Sequence, residues 1–486
     1  MTKSDDEEEV NLVREWCEHT SWHGFCELVH TRSQVSRIIW LLVLGFSALM
    51  LVVNTTYHVR DFLTGEQWIT VNFYEQQPNG IEFPAIILCN ANRVSLLKLQ
   101  RNNLTLEEAN LIMSLLKLGQ HGYSLKEEKV LAQRKEAFRE FAKDLVDIPM
   151  AEWIRLISPD CNQFIDACRF ANSQEFDCCQ SAEEIFHRDG RCFVIRPPTN
   201  FVQNRVGSQN GIQIYANPNI SDYAPLKQDW ASSMGGLMLY AGYEPVSTMN
   251  TDPVLIHPGT LTEVGMTSSE DRTQMSNKPI EKYVRFIYNP KLPCDPSARL
   301  QIVPGKYTME SCGDECELQL QLQECGCVHA RPVNPEVPVC SILDWVQCQS
   351  LISNSTSGLW KKVCQCANTC QPPCGQRRVY LKSSSGMFVV PNQLSEMQQF
   401  LNRLKGGFYP LDEVRQMSPM KVYFEVVQCK VNEQRQRVPV EDLISNIGGV
   451  LGVWAGISLI TLYQAFLYAM HGTWRMLIGS SEPSWE

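Results

Sequence analysis

The chain has 486 residues, a net charge of −10 and a pI near 5.5. This acidic balance argues against nucleic-acid binding, which requires a basic surface. The length exceeds what one compact domain usually holds. The mean hydropathy of −0.20 is ordinary for a soluble protein, but it conceals two strongly apolar segments.

The first apolar segment begins at Ile38 and carries no charge through Val53. Extended to Tyr57 it reaches about 20 residues, the length that crosses a bilayer as a helix. An acidic run precedes it and no small-residue cleavage pattern follows, which disfavours a cleaved signal peptide. We predict a transmembrane helix over 38–57, preceded by a cytosolic tail at 1–37.

The second apolar segment runs from Ile447 to Met470 without a charge. It is long for a buried core helix and long enough to span a membrane with some tilt. We predict a second transmembrane helix over 442–470 and a cytosolic tail over 471–486. The tails are too short for folded domains, so residues 58–441 form the main domain.

Eighteen of the 20 cysteines lie between the two apolar segments, from Cys89 to Cys429. Such density in one compartment predicts disulfides in an oxidising space. Zinc is the alternative, but histidines are scarce near these cysteines and no CxxC pair recurs. We therefore predict no metal and no cofactor. Glycosylation sequons at Asn103, Asn219 and Asn354 lie in the same segment, so we place it outside the cell and both termini in the cytosol.

The middle segment mixes strand and helix patterns. Thr105 and Glu108 form a capping box ahead of an apolar helical repeat. The predicted helices cover 105–117, a further stretch to Leu156, 311–325 and 392–404. The predicted strands lie within 67–92, within the Pro- and Gly-rich stretch 160–305, and at 421–429. The sequence thus predicts a disulfide-rich α+β domain.

Glycines recur every four residues in the second apolar segment, at Gly448, Gly452 and Gly456. Small residues on one helix face allow two helices to pack closely. They also allow a chain to bend and turn its carbonyl groups toward a water-filled pore. Spacing alone leaves both interpretations open.

The run from Leu443 to Ser458 resembles the second membrane segment of the degenerin/epithelial sodium channel family, which includes the acid-sensing ion channels. The family's Gly-x-Ser filter motif corresponds to Gly456, Ile457 and Ser458. Three further motifs follow the family's order along nearly the whole chain: His23-Gly24, the run from Phe83 to Asn90, and the cysteines at 312–327 and 364–370.

This resemblance implies a trimer with two transmembrane helices per subunit and a large extracellular domain of palm, β-ball, finger, thumb and knuckle. It implies a sodium-permeable, amiloride-sensitive cation channel of the plasma membrane, gated through that domain by a ligand such as a proton or a peptide. The implied gating residues are His23, Gly24 and Ser445, and Gly452 matches a position linked to amiloride block. Sodium ions, lipid and related subunits are the expected partners, in a homomer or a heteromer.

The resemblance also implies a set of disulfides, carried over by cysteine order. The implied pairs are Cys89–Cys192, Cys168–Cys179, Cys294–Cys370, Cys312–Cys366, Cys316–Cys364, Cys325–Cys348 and Cys327–Cys340. Cys178 and Cys179 are adjacent and therefore ambiguous. Cys161, Cys178, Cys374 and Cys429 receive no partner.

One departure from the family concerns charge. Many relatives place a glutamate and an aspartate after the filter, where this chain has Gln464 and Leu467. A carboxylate ring concentrates cations, so its loss keeps open an alternative, a non-conducting regulatory subunit or surface receptor of the same fold. An ATP-gated channel would need clustered lysines, which are missing near the cysteines. No P-loop, HExxH or Gly-x-Ser-x-Gly motif suggests an enzyme.

Overall fold

The computed structural model describes the chain in two compact units. The smaller unit takes residues up to 70, 274–291 and 434–486, and the larger takes 71–273 and 292–433. The described residues are 22, 24–64, 68–117, 125–171, 173, 175–187, 190–198, 201–225, 235–273, 294–331, 333–353, 366, 370–405 and 407–478.

The smaller unit consists of helices. They are α1 (Phe25–His30), α2 (Gln34–Thr64), α12 (Val440–Ala455) and α13 (Leu459–Ile478). Among the described residues, α2 is the single helix long and apolar enough to cross a membrane. The pair α12 and α13 passes the same test only together, with a bend of 72° between them. The predicted second span at 442–470 therefore covers two helices.

The two apolar helical segments contact each other within this unit. Phe46 of α2 meets Trp454 of α12 edge to face, with ring centroids 6.0 Å apart. Near the other end of α2, Arg437 lies 3.8 Å from Asp61. α2 therefore contacts both α12 and the residues just before it.

The larger unit is built on a six-stranded sheet with the order β12-β11-β13-β8-β4, in which β1 also pairs with β13. The strands β11 and β12 run antiparallel from the pair Thr260 and Met387 to the pair Arg272 and Gly375. The strand bounds are β1 (Trp68–Gln76), β4 (Ile165–Phe170), β8 (Ile212–Ala216), β11 (Thr260–Thr273), β12 (Gly375–Met387) and β13 (Met420–Gln436).

A five-stranded sheet has the order β10-β9-β3-β6-β5, and β2 pairs with β7 separately. The central strand β3 is buried at all six positions, as its unbroken apolar run predicts. Phe83, just before β3, packs edge to face on Phe170 and Phe424 of the larger sheet. The bounds are β2 (Ile81–Glu82), β3 (Ala85–Asn90), β5 (Glu183–His187), β6 (Gly190–Ile195), β7 (Val202–Gln203), β9 (Leu237–Gly242) and β10 (Val254–Ile256).

The helices within residues 96–157 and the helix at 342–353 enclose a second apolar core, centred on Phe138, Trp153 and Trp345. The predicted capping box opens α4, because Thr105 and Glu108 exchange backbone-to-side-chain hydrogen bonds of 2.7 and 3.2 Å. The helices are α3 (Leu96–Arg101), α4 (Leu106–Lys117), α5 (Leu125–Ala142), α6 (Met150–Ile157), α7 (Pro245–Thr248), α8 (Met309–Cys325), α9 (Ile342–Ser353), α10 (Leu394–Lys405) and α11 (Leu411–Gln416).

The structure contains eight disulfides among the described residues. Three match the pairs that the resemblance implied: Cys89–Cys192, Cys325–Cys348 and Cys327–Cys340. The other implied pairs, Cys168–Cys179, Cys294–Cys370, Cys312–Cys366 and Cys316–Cys364, are wrong. The bonds found instead are Cys161–Cys179, Cys168–Cys178, Cys294–Cys374, Cys312–Cys370 and Cys316–Cys366.

Helical spacing explains the corrected ladder. Cys312 and Cys316 lie one turn apart on α8, and their partners Cys370 and Cys366 are also four residues apart, which closes bridges with Cα separations of 5.9 and 5.6 Å. Cys364, two residues from Cys366, does not offer this spacing, and it lies outside the described residues. Because Cys312 takes Cys370, Cys294 bonds to the next cysteine along the chain.

The adjacent cysteines Cys178 and Cys179 form one short 3₁₀ turn, and each has its own partner. The bonds Cys168–Cys178 and Cys161–Cys179 both span 5.6 Å between Cα atoms. Cys429 is buried outside the disulfides, with its sulfur 3.6 Å from the Ser268 hydroxyl.

Candidate ion-conduction and gating site

The helix break in the second apolar segment falls on the predicted filter residues. Gly456 ends α12 in the left-handed region at φ +67°, which favours glycine. Its N–H donates to the Gly452 carbonyl at 3.1 Å, and the Ile457 N–H donates to the Leu451 carbonyl at 3.2 Å. These bonds satisfy the last carbonyl groups of α12 and turn the chain away from the helix axis.

Ser458 begins the next helix by a reciprocal cap with Thr461. The Thr461 N–H donates to Ser458 Oγ at 3.2 Å, and the Ser458 N–H donates to Thr461 Oγ1 at 3.2 Å. The two hydroxyl oxygens lie 3.0 Å apart. Thr461 is not among the residues predicted from the sequence, although a Ser-x-x-Thr spacing after a glycine has the form of a helix start. The filter motif is thus a helix stop followed by a helix start.

The small face of α12 is open in the structure of the single chain. A Cβ added at Gly448, Gly449 or Gly452 would meet no described atom within 4 Å. Ser445 lies seven residues before Gly452 and therefore on the same face of α12, where its side chain is exposed. Close packing within this chain therefore does not account for the glycines, and the face is available to a partner or to water.

The two residues that stand where many relatives have carboxylates, Gln464 and Leu467, lie on α13. Gln464 is half-buried and Leu467 is 46% exposed. Neither side chain can carry a negative charge, so this part of α13 provides no carboxylate.

The predicted gating motif is His23-Gly24, and the structure describes only Gly24, because His23 lies outside the described residues. Gly24 precedes α1 with φ +73°. A Cβ at Gly24 would lie 3.1 Å from the Trp40 ring and 3.2 Å from Leu44, both on α2. Only glycine fits this contact without strain, so Gly24 holds the N-terminal segment against α2.

Two sequons lie in described parts of the larger unit. Asn103 is exposed at φ +52°, and Asn219 adopts φ +51° with its Oδ1 accepting a hydrogen bond of 2.9 Å from the Ser221 hydroxyl. Asn354 lies outside the described residues. The two described asparagines occupy turns rather than strand interiors.

An ion-pair network crosses the larger sheet. Arg272 donates to both oxygens of Glu270, at 2.7 and 3.0 Å, and to Glu75 at 3.0 Å. Arg377 donates to Glu270 at 3.3 Å. The hydrogen bond from Arg272 is the main cause that lowers the pKa of Glu270, and the same bond raises the pKa of Arg272. The described residues contain no group of three or more His, Cys, Asp or Glu placed to hold a metal ion.

Three known ion channels are similar in sequence to this chain. The human bile acid-sensitive ion channel is 22% identical over 462 residues, which covers 92% of this chain and 84% of the relative. Acid-sensing ion channel 2 of Danio rerio is 24% identical over 440 residues, covering 88% of this chain and 77% of the relative. The human epithelial sodium channel subunit alpha is 23% identical over 314 residues, 62% of this chain and 44% of the relative.

The sequence model of the amiloride-sensitive sodium channel family matches residues 16–468, from before α1 to within α13. The match includes the first apolar segment, the break between α12 and α13, the second apolar segment as far as residue 468, and all eight described disulfides. The chain therefore belongs to the amiloride-sensitive sodium channel family and is an ion channel subunit rather than an enzyme.

Proposed function

We propose that the chain is a subunit of a trimeric, sodium-permeable cation channel of the plasma membrane, gated through its extracellular domain and blocked by amiloride. The observation that carries this proposal is the helix break at Gly456–Ile457–Ser458 inside an apolar helical pair. Irregular backbone at membrane depth is tolerated where it is buried in protein or lines water. The open glycine face of α12 agrees with such a lining.

The proposed conduction mechanism is passive. Three copies of Gly456, Ile457 and Ser458 would surround a narrow path and replace part of a cation's hydration shell with carbonyl and hydroxyl oxygens. One α12–α13 pair cannot enclose a path alone, so the site requires neighbouring subunits. Ser445 and Gly452, on the same helix face, would line the path toward the gate and the blocker site.

The proposed topology has two spans, with both termini in the cytosol and the larger unit outside the cell. All eight described disulfides lie between the two apolar segments in sequence, and disulfides persist in oxidising compartments. We assign N-linked glycans to Asn103, Asn219 and Asn354 on the same side. The two sheets and their helices would form the palm, β-ball, finger, thumb and knuckle.

A conformational change in the extracellular domain would be transmitted to the membrane helices through the covalent connection between β13 and α12. The strand β13 ends at Gln436 and α12 begins at Val440, so the residues Arg437 to Pro439 connect them directly. At the cytosolic end, His23 and Gly24 would hold the N-terminal segment beside the gate.

The test is a voltage-clamp recording of the full chain with Ser445→Val, because a bulky side chain on the open face of α12 should obstruct closure. We expect a constitutive cation current that follows the sodium gradient and falls on addition of amiloride. Ser47→Val on α2 is the matched control and should leave the channel closed. A surface-labelled Ser445→Val trimer that carries no cation current would contradict the proposal.

The second candidate is a non-conducting regulatory subunit or surface receptor, and Gln464 and Leu467 favour it because they provide no carboxylate ring. Co-expression with an epithelial sodium channel subunit distinguishes the two. A regulatory subunit would change the partner's current without adding current of its own when it is expressed alone. Amiloride-sensitive current from the chain alone would exclude this candidate.

A further inference from the structure

We propose that Thr461 is a positioning residue for ion selection, which acts through the hydroxyl of Ser458 at the break between α12 and α13. Thr461 is 3% exposed, whereas its neighbours Leu459, Ile460 and Leu462 on α13 are exposed. A buried hydroxyl on an otherwise exposed apolar helix indicates a fixed hydrogen-bonding role. The inference rests on the proposed function in one respect, the assignment of the break to the ion path.

The geometry of the cap restricts the Ser458 hydroxyl. Ser458 Oγ accepts from the Thr461 N–H and Thr461 Oγ1 accepts from the Ser458 N–H, both at 3.2 Å. The two oxygens are 3.0 Å apart, so one hydroxyl proton lies between them. This reciprocal arrangement holds the Ser458 side chain in one rotamer against the first turn of α13.

The direction of the hydrogen bond between the two hydroxyl groups decides whether a cation faces a lone pair or a proton of Ser458. A serine hydroxyl has one proton and two lone pairs. When the Ser458 hydroxyl donates a hydrogen bond to Thr461 Oγ1, one lone pair of Ser458 Oγ accepts from the Thr461 N–H and the other can face a cation. When Thr461 donates instead, the Ser458 proton turns outward and opposes a cation. Thr461 therefore allows Ser458 to act as an oxygen ligand by accepting a hydrogen bond from its hydroxyl.

The first test compares Thr461→Val with Thr461→Ser in the Ser445→Val channel, because valine keeps the shape of threonine and loses the hydroxyl. We expect valine to lower the sodium-to-potassium permeability ratio, measured from bi-ionic reversal potentials, because it removes the acceptor that orients the Ser458 hydroxyl. Serine should restore the parent ratio. Thr55→Val on α2 is the matched control. An unchanged ratio in Thr461→Val would overturn the proposal.

The second test does not depend on current. Hydrogen exchange of the full chain in lipid nanodiscs reports the amides of residues 458–462, and we expect Thr461→Val to accelerate their exchange by about fivefold. Thr461→Ser and Thr55→Val should match the parent chain. If the Ser445→Val parent carries no current, the proposed function fails, and the exchange result alone decides whether Thr461 holds the break. Equal exchange in the valine and serine variants would overturn its positioning role.

Discussion

The guanidinium of Arg437 lies 3.8 Å from the carboxylate of Asp61, which joins the last turn of α2 to the residues just before α12. The Arg437 side chain is 47% exposed and that of Asp61 is 26% exposed. A pair of this exposure contributes about 1 kcal/mol or less. That is still enough to bias an equilibrium between open and closed arrangements of two helices.

We predict that Asp61→Asn and Arg437→Gln each shift the open probability by up to about fivefold and in the same direction. The double variant should match either single variant, because each removes the same interaction. Single-channel recording in the Ser445→Val background measures the effect. The charge exchange Asp61→Arg with Arg437→Asp should return the open probability toward the parent value, and additive single effects would show that the pair is not coupled.

The contact of Gly24 with Trp40 predicts a strong effect of a single methyl group. Gly24→Ala adds a Cβ at 3.1 Å from the Trp40 ring, at a residue with φ +73°. The left-handed conformation alone costs an alanine about 1 kcal/mol, and the clash adds to it. We expect the N-terminal segment to leave α2 and the current to fall, while the amount of protein at the cell surface is unchanged.

The matched control for this prediction is Gly45→Ala on α2, where an added Cβ meets no described atom within 4 Å. Its current should equal that of the parent. Replacing Trp40 with leucine should relieve part of the clash in the Gly24→Ala chain. A Gly24→Ala chain with parental current would show that the contact does not matter for gating.

The network around Glu270 predicts a stability contribution that is insensitive to pH near neutrality. Arg272 lowers the pKa of Glu270, so the carboxylate keeps its charge and its stabilising effect above the ordinary glutamate value of about 4.3. The effect is lost only as pH falls through the lower, folded-state pKa. The difference in unfolding temperature between the parent and Glu270→Gln should therefore stay constant from pH 8 to about pH 5.

Thermal unfolding of the purified chain at several pH values measures this difference. Glu107→Gln on the exposed face of α4 is the control and should differ little from the parent at every pH. A Glu270→Gln difference that already declines between pH 7 and pH 6 would mean that the two arginines do not hold the carboxylate. The same result would make this sheet a candidate for acid sensing.

The sequence predicted the break at Gly456 only as one of two interpretations, because the spacing of glycines serves packing and bending equally well. The left-handed φ of Gly456 accounts for the bend, and the empty space beside Gly448 and Gly452 excludes packing within this chain. Neither property can be read from residue order. Thr461 was missed for a related reason, since a threonine inside an apolar run has no periodic signal of its own.

The disulfides show the same limit. Cysteine order gave correct pairs for Cys325–Cys348, Cys327–Cys340 and the strand pair Cys89–Cys192. For Cys168 it chose the wrong one of two adjacent cysteines, because the bond is to Cys178. It failed in the ladder on α8, because pairing there depends on helical spacing, which joins Cys316 to Cys366 rather than to the first available cysteine. Order along the chain therefore predicts which regions are joined, and geometry decides which sulfur atoms meet.

The last prediction concerns Gln464, which lies on α13 six residues after Ser458. Gln464→Glu keeps the size of the side chain and would add one negative charge per subunit beside the proposed path. A ring of carboxylates raises the local concentration of cations, so we expect a larger single-channel conductance for sodium at low ionic strength. The increase should shrink as the salt concentration rises, because salt screens the added charges.

Leu467→Asn is the control, since it adds a polar but uncharged side chain at the second position where many relatives carry a carboxylate. Current–voltage curves that coincide for Gln464→Glu and the parent under ion substitution would mean that this part of α13 does not face the ion path.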